Sequence, residues 1–216
     1  YFSPMTSRLP KTAGIYLITP QMDDTEGLCS VIGSLLQQPP ALLQYRHKGT
    51  DPALKHRQAR ALLLLCRDAG VPLVINDDWS LARDVGADGV HLGASDADPA
   101  MVRAELGADA LIGVSCYGDF NRAEAMAGLD VDYLAFGAVF ASPTKPLADR
   151  APLDLFRRAE TLGKPTVAIG GITPDNSRQL RDAGADFIAV ISGVFDAADP
   201  AQALAAYHQA FSKVST

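Results

Sequence analysis

The sequence predicts a single (β/α)8 barrel, the TIM barrel. Three observations carry that reading. Eight short β-rich runs recur along the chain, helix-like segments separate them, and no linker or shift in composition interrupts the 216 residues. Eight unbroken strand-helix units are what a closed parallel barrel requires. A doubly wound sheet is the competing architecture. It calls for a Gly-x-Gly-x-x-Gly turn after the first strand, where this chain reads Thr19-Pro20-Gln21-Met22.

In chain order, the first strand is expected at Ile15–Thr19. The helix after it, 25–37, carries Leu28, Val31, Ile32, Leu35 and Leu36 on one stripe. The second strand, 42–46, leads to a long helix over 52–69, with Asp51 as its cap, Pro52 in its first turn and Gly70 as its stop. The third and fourth strands, 72–76 and 89–93, are followed by helices at 79–85 and 99–106. The fifth strand, 111–115, precedes a helix at 121–128, and the sixth, 133–139, precedes one at 152–162. Strands at 166–170 and 187–192, with helices at 174–183 and 200–211, complete the set. Most strands are continuous apolar runs, as strands buried on both faces must be. Gly-Ala-Asp recurs at Gly86–Asp88, Gly107–Asp109 and Gly184–Asp186, where a helix should end and a strand begin.

Length and composition bound the function. A chain this long buries roughly 70% of its unfolded surface and needs no staples. An apolar content of 48% fits a globular interior. No apolar run approaches the ~20 residues of a membrane span, and no signal peptide is visible, so the expectation is a cytoplasmic protein with no membrane partner. Cys29, Cys66 and Cys116 form neither a disulfide framework nor a zinc pattern, and read as small buried hydrophobes. A net charge of −6 argues against nucleic acid as a partner. It leaves room for an anionic small molecule, and nothing in it disfavours a homo-oligomer. Met5 reads as the natural start, Tyr1–Pro4 as an expression remnant, and 5–216 as one barrel domain.

Parallel barrels build their sites where the strands end. There the chain places Gln44, Arg46 and Lys48; Asn76, Asp77 and Asp78; His91, Ser95 and Asp96; Ser115; Ser142, Thr144 and Lys145; Gly170-Gly171; and Ser192-Gly193. Cations, hydroxyls and Gly-rich turns make a phosphate site. Two carboxylates, Asp77 and Asp96, beside phosphate are the usual way to hold Mg²⁺. Each residue also has a plain structural explanation. Asp77-Asp78 can cap the following helix, His91 can be a satisfied core histidine, and His47, His56 and His208 lack metal spacing and fit a surface. Collection at one end of the barrel favours a site for chemistry on a phosphate or diphosphate ester.

The strings Gln44-Tyr45-Arg46-His47-Lys48, Ile75-Asn76-Asp77, Gly89-Val90-His91-Leu92-Gly93, Gly113-Val114-Ser115 and Phe136-Gly137 continue into Ser142-Pro143-Thr144-Lys145, Ala168-Ile169-Gly170-Gly171-Ile172 and Ala189-Val190-Ile191-Ser192. In this order they resemble the thiamine-phosphate synthase family from about Gly14 to Phe195. The resemblance implies a barrel transferase that joins hydroxymethylpyrimidine diphosphate to a phosphorylated thiazole, forming thiamine monophosphate and pyrophosphate. It implies that Gln44, Tyr45, Arg46, His47, Lys48 and Asn76 hold the pyrimidine diphosphate, and that Asp77 and Asp96 hold Mg²⁺. Ser115 and Lys145 would meet the diphosphate, making Arg46, Lys48, Ser115 and Lys145 the catalytic set. Ser142, Pro143, Thr144, Gly171, Ile191 and Ser192 would enclose the thiazole phosphate. Two departures stand out: Ala94-Ser95 replaces the family's frequent Gln and acidic residue, with Asp98 two residues beyond Asp96, and Ser142 replaces a threonine. The related thiazole tautomerase is the nearest rival. That branch uses a histidine where this chain has Ala138. A non-catalytic phosphate-binding barrel is the rival from another class, and it would need fewer charged groups.

Overall fold

The structure, a computed structural model, describes residues 9–10, 13–141 and 150–212. The strands β1 (Gly14–Ile18), β2 (Leu42–Tyr45), β3 (Leu73–Asn76), β4 (Gly89–Leu92), β5 (Leu111–Tyr117), β6 (Tyr133–Gly137), β7 (Thr166–Ile169) and β8 (Phe187–Val190) pair in parallel and in sequence order. The ring closes where Tyr16 of β1 pairs with Ala189 of β8. Around it lie α1 (Thr25–Leu35), α2 (Pro52–Ala69), α3 (Trp79–Val85), α4 (Pro99–Leu106), α5 (Phe120–Ala127), α6 (Asp154–Ala159), α7 (Pro174–Asp182), α8 (Ser192–Phe195) and α9 (Pro200–Phe211). A short 3₁₀ turn, Glu160–Leu162, extends α6.

The period of two along each strand divides the core into two layers. Tyr16, Ile18, Leu42, Val74, Leu111, Tyr133, Ala135, Val167, Phe187 and Ala189 fill the barrel interior. Their neighbours, among them Leu17, Leu43, Tyr45, Leu73, Ile75, Val90, Val114 and Ile188, pack outward against the helices. The helix starts are capped as their sequences require. Asp51, Asp98, Asp119 and Asp199 accept backbone N–H groups in the first turns of α2, α4, α5 and α9. Thr173 and Asn176 form a reciprocal capping box on α7.

The Gly-Ala-Asp repeats act at the end of the barrel opposite the strand C-termini. Gly86, Gly107 and Gly184 have positive φ. Asp88 accepts from the Leu73 N–H and Asp186 from the Thr166 N–H, so each ties a loop to the start of a strand. Asp132 does the same for Ile112 and also binds Arg103 at 2.8 Å. This end is fastened by backbone contacts, which leaves the other end for chemistry.

Several element ends differ from the sequence expectation: β6 stops at Gly137 rather than Val139, α1 at Leu35 rather than Gln37, and α6 begins at Asp154 rather than Pro152. The chain after β8 does not continue as strand to Ser192 but turns at Ile191 into α8. β5 runs to Tyr117 through a register shift between Ser115 and Tyr117.

Candidate functional site

On β2 the alternation sorts Gln44-Tyr45-Arg46-His47-Lys48. Gln44 shares the inward parity of Leu42 and is buried. Arg46 follows the same parity, and its backbone N–H donates to Thr19 Oγ1 at 2.9 Å. Tyr45 faces outward instead, where its hydroxyl donates to Gln58 Oε1 at 2.8 Å. His47 is also outside the cleft. Its side chain is 3% exposed, its Nε2 lies 2.9 Å from Asp23 Oδ1, and its Nδ1 accepts from the Gly49 N–H. The structure therefore does not bring Tyr45 and His47 to the cleft, and His47 is not the surface side chain its spacing suggests. His47 clips the loop that carries Lys48, and Gln21 Oε1 accepts the Lys48 N–H at 2.8 Å.

The loop after β3 separates two adjacent aspartates. Asp78 caps α3, accepting from the Leu81 N–H at 2.9 Å and from Ser80 Oγ at 2.8 Å. Asp77 has φ 63, a left-handed conformation that aspartate tolerates better than most residues. The twist frees its carboxylate from the helix and sets Oδ2 3.3 Å from Lys48 Nζ. Strain of this kind gathers at functional sites.

The loop after β4 repeats the division of labour. Asp98 caps α4 through the N–H groups of Ala100 and Met101. Asp96 accepts from the Gly93 N–H and lies in hydrogen-bonding reach of Asp77. Burial and then the Asp77 carboxylate raise the Asp96 pKa, against the Gly93 N–H and the Lys48 charge, which lower it. Two carboxylates thus meet at the rim, and the Lys48 ammonium pairs with Asp77. Among the described residues no group of three or more His, Cys, Asp or Glu side chains could hold a metal by itself.

Deeper in the barrel, His91 links Tyr133 to Ser115. Its Nε2 lies 2.9 Å from Ser115 Oγ and its Nδ1 3.1 Å from the Tyr133 hydroxyl. Burial lowers its pKa to about 4, with the Asp77 charge acting in the opposite direction. The chain of contacts continues to Tyr16 and Gln44. The sequence marks His91 as a satisfied core histidine, which it is, and gives no local sign of Tyr16 or Tyr133. The available signal was parity: all three point inward in register with the cleft.

On the opposite side, Gly170 and Gly171 have φ 105 and 64. A Cβ on Gly171 would sit 2.5 Å from the Ala141 carbonyl oxygen and 2.7 Å from that of Phe140, so only glycine fits. Ile191 and Ser192 form the turn from β8 into α8 beside it, with Ser192 exposed. Asn76, at the end of β3, is half-buried. Ser142, Pro143, Thr144 and Lys145 lie outside the described residues. The three cysteines are free thiols. Burial pushes Cys66 and Cys116 up to about 12 and raises Cys29, the reverse of what a nucleophile needs.

Comparison with known proteins adds an independent line. The family profile for thiamine monophosphate synthase matches residues 15–194. A thiamine-phosphate synthase of Azoarcus sp. (strain BH72) is 56% identical over 199 residues, covering 92% of this chain and 97% of that protein. One of Bordetella pertussis (strain Tohama I) is 52% identical over 214 residues, covering 96% and 98%. Among solved structures, a thiamine phosphate pyrophosphorylase from Pyrococcus furiosus superposes with a TM-score of 0.81 at 28% identity, covering 95% of this chain and 96% of that one.

Proposed function

The chain belongs to the thiamine monophosphate synthase family, and from that premise we propose how its cleft performs the reaction. The protein is a thiamine-phosphate synthase, a transferase that joins a pyrimidine diphosphate to a phosphorylated thiazole. The substrates are 4-amino-5-hydroxymethyl-2-methylpyrimidine diphosphate and 4-methyl-5-(2-phosphoethyl)thiazole, or the 2-carboxylate form of the latter, which would also release its carboxylate as CO₂ and take up a proton at that carbon.

The bond that breaks joins the pyrimidylmethyl carbon to a diphosphate oxygen, which leaves with the electron pair. The 4-amino group of the ring stabilises the cation left behind. The thiazole nitrogen then gives its lone pair to that carbon, and thiamine monophosphate and pyrophosphate result. The protein's task is to hold both partners and to meet growing negative charge on the leaving group. Gln44 and Asn76 hold the pyrimidine. Arg46, Lys48 and Lys145 bind the diphosphate, and Ser115 donates to it. Ser142, Pro143, Thr144, Gly171, Ile191 and Ser192 enclose the thiazole phosphate, with Gly171 allowing its backbone to approach closely.

Asp77 and Asp96 suit Mg²⁺, because the two carboxylates lie close enough to repel one another, with the Lys48 ammonium 3.3 Å from Asp77. Asp77 and Asp96 would hold the ion, which would supply positive charge to the departing diphosphate. No covalent enzyme intermediate is needed, in keeping with cysteine pKa values raised by burial.

The observation that carries this arrangement is the left-handed twist at Asp77, which turns one of two adjacent aspartates out of helix capping and toward Lys48 and Asp96. Both substrates incubated with Mg²⁺ should give thiamine monophosphate and pyrophosphate in equal amounts by mass spectrometry. Omitting either substrate should abolish both products, and pyrophosphate without thiamine monophosphate would overturn the reading. Net charge −6 weighs against a nucleic-acid partner. Free cysteines favour the cytoplasm, and no described helix is long and apolar enough to cross a membrane.

A further inference from the structure

The barrel interior holds a line of polar side chains that spans five strands. Gln44 Nε2 donates to the Tyr16 hydroxyl at 2.8 Å. The hydroxyls of Tyr16 and Tyr133 are 2.8 Å apart. The Tyr133 hydroxyl lies 3.1 Å from His91 Nδ1, and His91 Nε2 lies 2.9 Å from Ser115 Oγ. Tyr16 and Tyr133 are fully buried, whereas Ser115 sits at the edge of the cleft. Among the described residues no buried side-chain nitrogen or oxygen lacks a partner.

Packing fixes the line in place. The two tyrosine rings meet edge-on, with centroids 5.8 Å apart and planes at 85°. The His91 ring stacks on Tyr133 at 5.6 Å and 17°. Gly113 faces the Tyr133 phenol, and a Cβ there would overlap the ring and its hydroxyl. The glycine of Gly113-Val114-Ser115 therefore makes room for the group that reaches His91.

Such a line has two self-consistent polarities. In one, the hydrogens from Tyr16 onward point toward Ser115; in the other, those from Ser115 onward point back toward Tyr16. Each hydroxyl has one hydrogen, and a neutral imidazole carries one on one nitrogen. Gln44 decides between them, because its Nε2 can only donate. The Tyr16 oxygen accepts that hydrogen, so its own hydrogen goes to the Tyr133 oxygen. Otherwise two donors would converge on one phenol, and a buried hydroxyl hydrogen would have no acceptor. Tyr133 then donates to His91 Nδ1, which leaves the ring hydrogen on Nε2, aimed at Ser115 Oγ.

We propose that Gln44, Tyr16, Tyr133 and His91 form a one-way hydrogen-bond relay that holds His91 as its Nε2–H tautomer and so leaves the Ser115 hydroxyl hydrogen to the departing diphosphate. The proposal rests on the placement of Ser115 beside the diphosphate. A leaving group that gains negative charge needs a donor, and with the opposite polarity the Ser115 hydrogen would be spent on His91. Tyr16, Tyr133 and His91 are positioning residues that act through Ser115, the group that touches substrate.

Two measurements test it. In the enzyme without substrate, ¹⁵N-histidine NMR at neutral pH should place the His91 hydrogen on Nε2, the signal being assigned by its loss in His91→Gln. Hydrogen on Nδ1 would overturn the relay. Kinetics supply the second arm through a double-mutant cycle. Tyr133→Phe keeps the ring and removes one hydroxyl. It should lower kcat about five- to tenfold, the scale of one hydrogen bond, with the thiazole KM unchanged. In a Ser115→Ala background the same change should cost less than about twofold, and Ser115→Thr should restore the sensitivity. An equal loss in both backgrounds would show that Tyr133 acts other than through Ser115. If Tyr133→Phe fails to fold, the tautomer still decides. A wild-type enzyme that makes no thiamine monophosphate would defeat the functional reading while leaving the tautomer result standing.

Discussion

Gly171 and Gly163 form a matched pair. Both have φ 64, but the space a side chain would enter differs completely. At Gly163, past the turn that ends α6, an added Cβ meets nothing within 4 Å. At Gly171, in the turn after β7, it meets two main-chain carbonyls that cannot swing aside. Gly163→Ala should cost only the left-handed conformation, about 1–2 kcal/mol. Gly171→Ala adds the overlap, a further ~1–3 kcal/mol, for a total of ~2–5 kcal/mol. At roughly 2–4 °C per kcal/mol for a chain of this size, Tm should fall by ~2–8 °C at Gly163 and ~4–20 °C at Gly171. Calorimetry on both variants measures the difference, and steady-state kinetics with each substrate varied in turn measures its consequence. Gly171→Ala should raise the thiazole KM, while Gly163→Ala, at the other end of β7, should leave both KM values alone. Equal Tm losses with normal thiazole binding in Gly171→Ala would refute the close-approach argument.

Other predictions address separate parts of the molecule. A triple Cys29→Ser, Cys66→Ala, Cys116→Ala variant that folds should keep its turnover, and a large loss measured by product formation would reopen nucleophilic chemistry. Lys145→Ala should mainly lower kcat, because the charge it meets grows in the transition state; an unchanged kcat with a weaker thiazole KM would reassign it to the other phosphate. His91 has its folded pKa depressed from 6.5 to about 4, so its contribution to stability is fully present above pH 6.5 and is lost as pH falls toward 4. Chemical denaturation across that range should show a decline that His91→Gln reduces; an identical pH profile in the variant would contradict it.

What the sequence discloses depends on whether a feature follows from period and local chemistry. The eight strands were legible because each is a short apolar run between capped helices, and the Asp-Pro starts of α2, α4 and α9 marked them directly. α8 was not legible. Its four residues carry no periodicity, and Ile191-Ser192 reads as a continuation of β8. Within the candidate site, collection at the strand C-termini was readable, yet the contiguous string from Gln44 to Lys48 concealed the alternation that turns Tyr45 and His47 outward. The division of labour between Asp77 and Asp78 hangs on a positive φ that no residue type announces. His91 reads as a satisfied core histidine and is one, but its partner Tyr133 comes from a strand far away in sequence, so the line of contacts through it has no local signal.

The most direct test of the rim arrangement compares four substitutions of identical chemistry. Asp77, Asp78, Asp96 and Asp98 are each changed to Asn, and the Mg²⁺ dependence of thiamine monophosphate formation is titrated for all four. Asn caps helices about as well as Asp, so Asp78→Asn and Asp98→Asn should fold normally and keep the wild-type Mg²⁺ curve. Asp77→Asn and Asp96→Asn should lose most turnover and require far more Mg²⁺ for what remains. If the capping pair shifted the curve and the rim pair did not, the assignment of metal and capping roles would be contradicted.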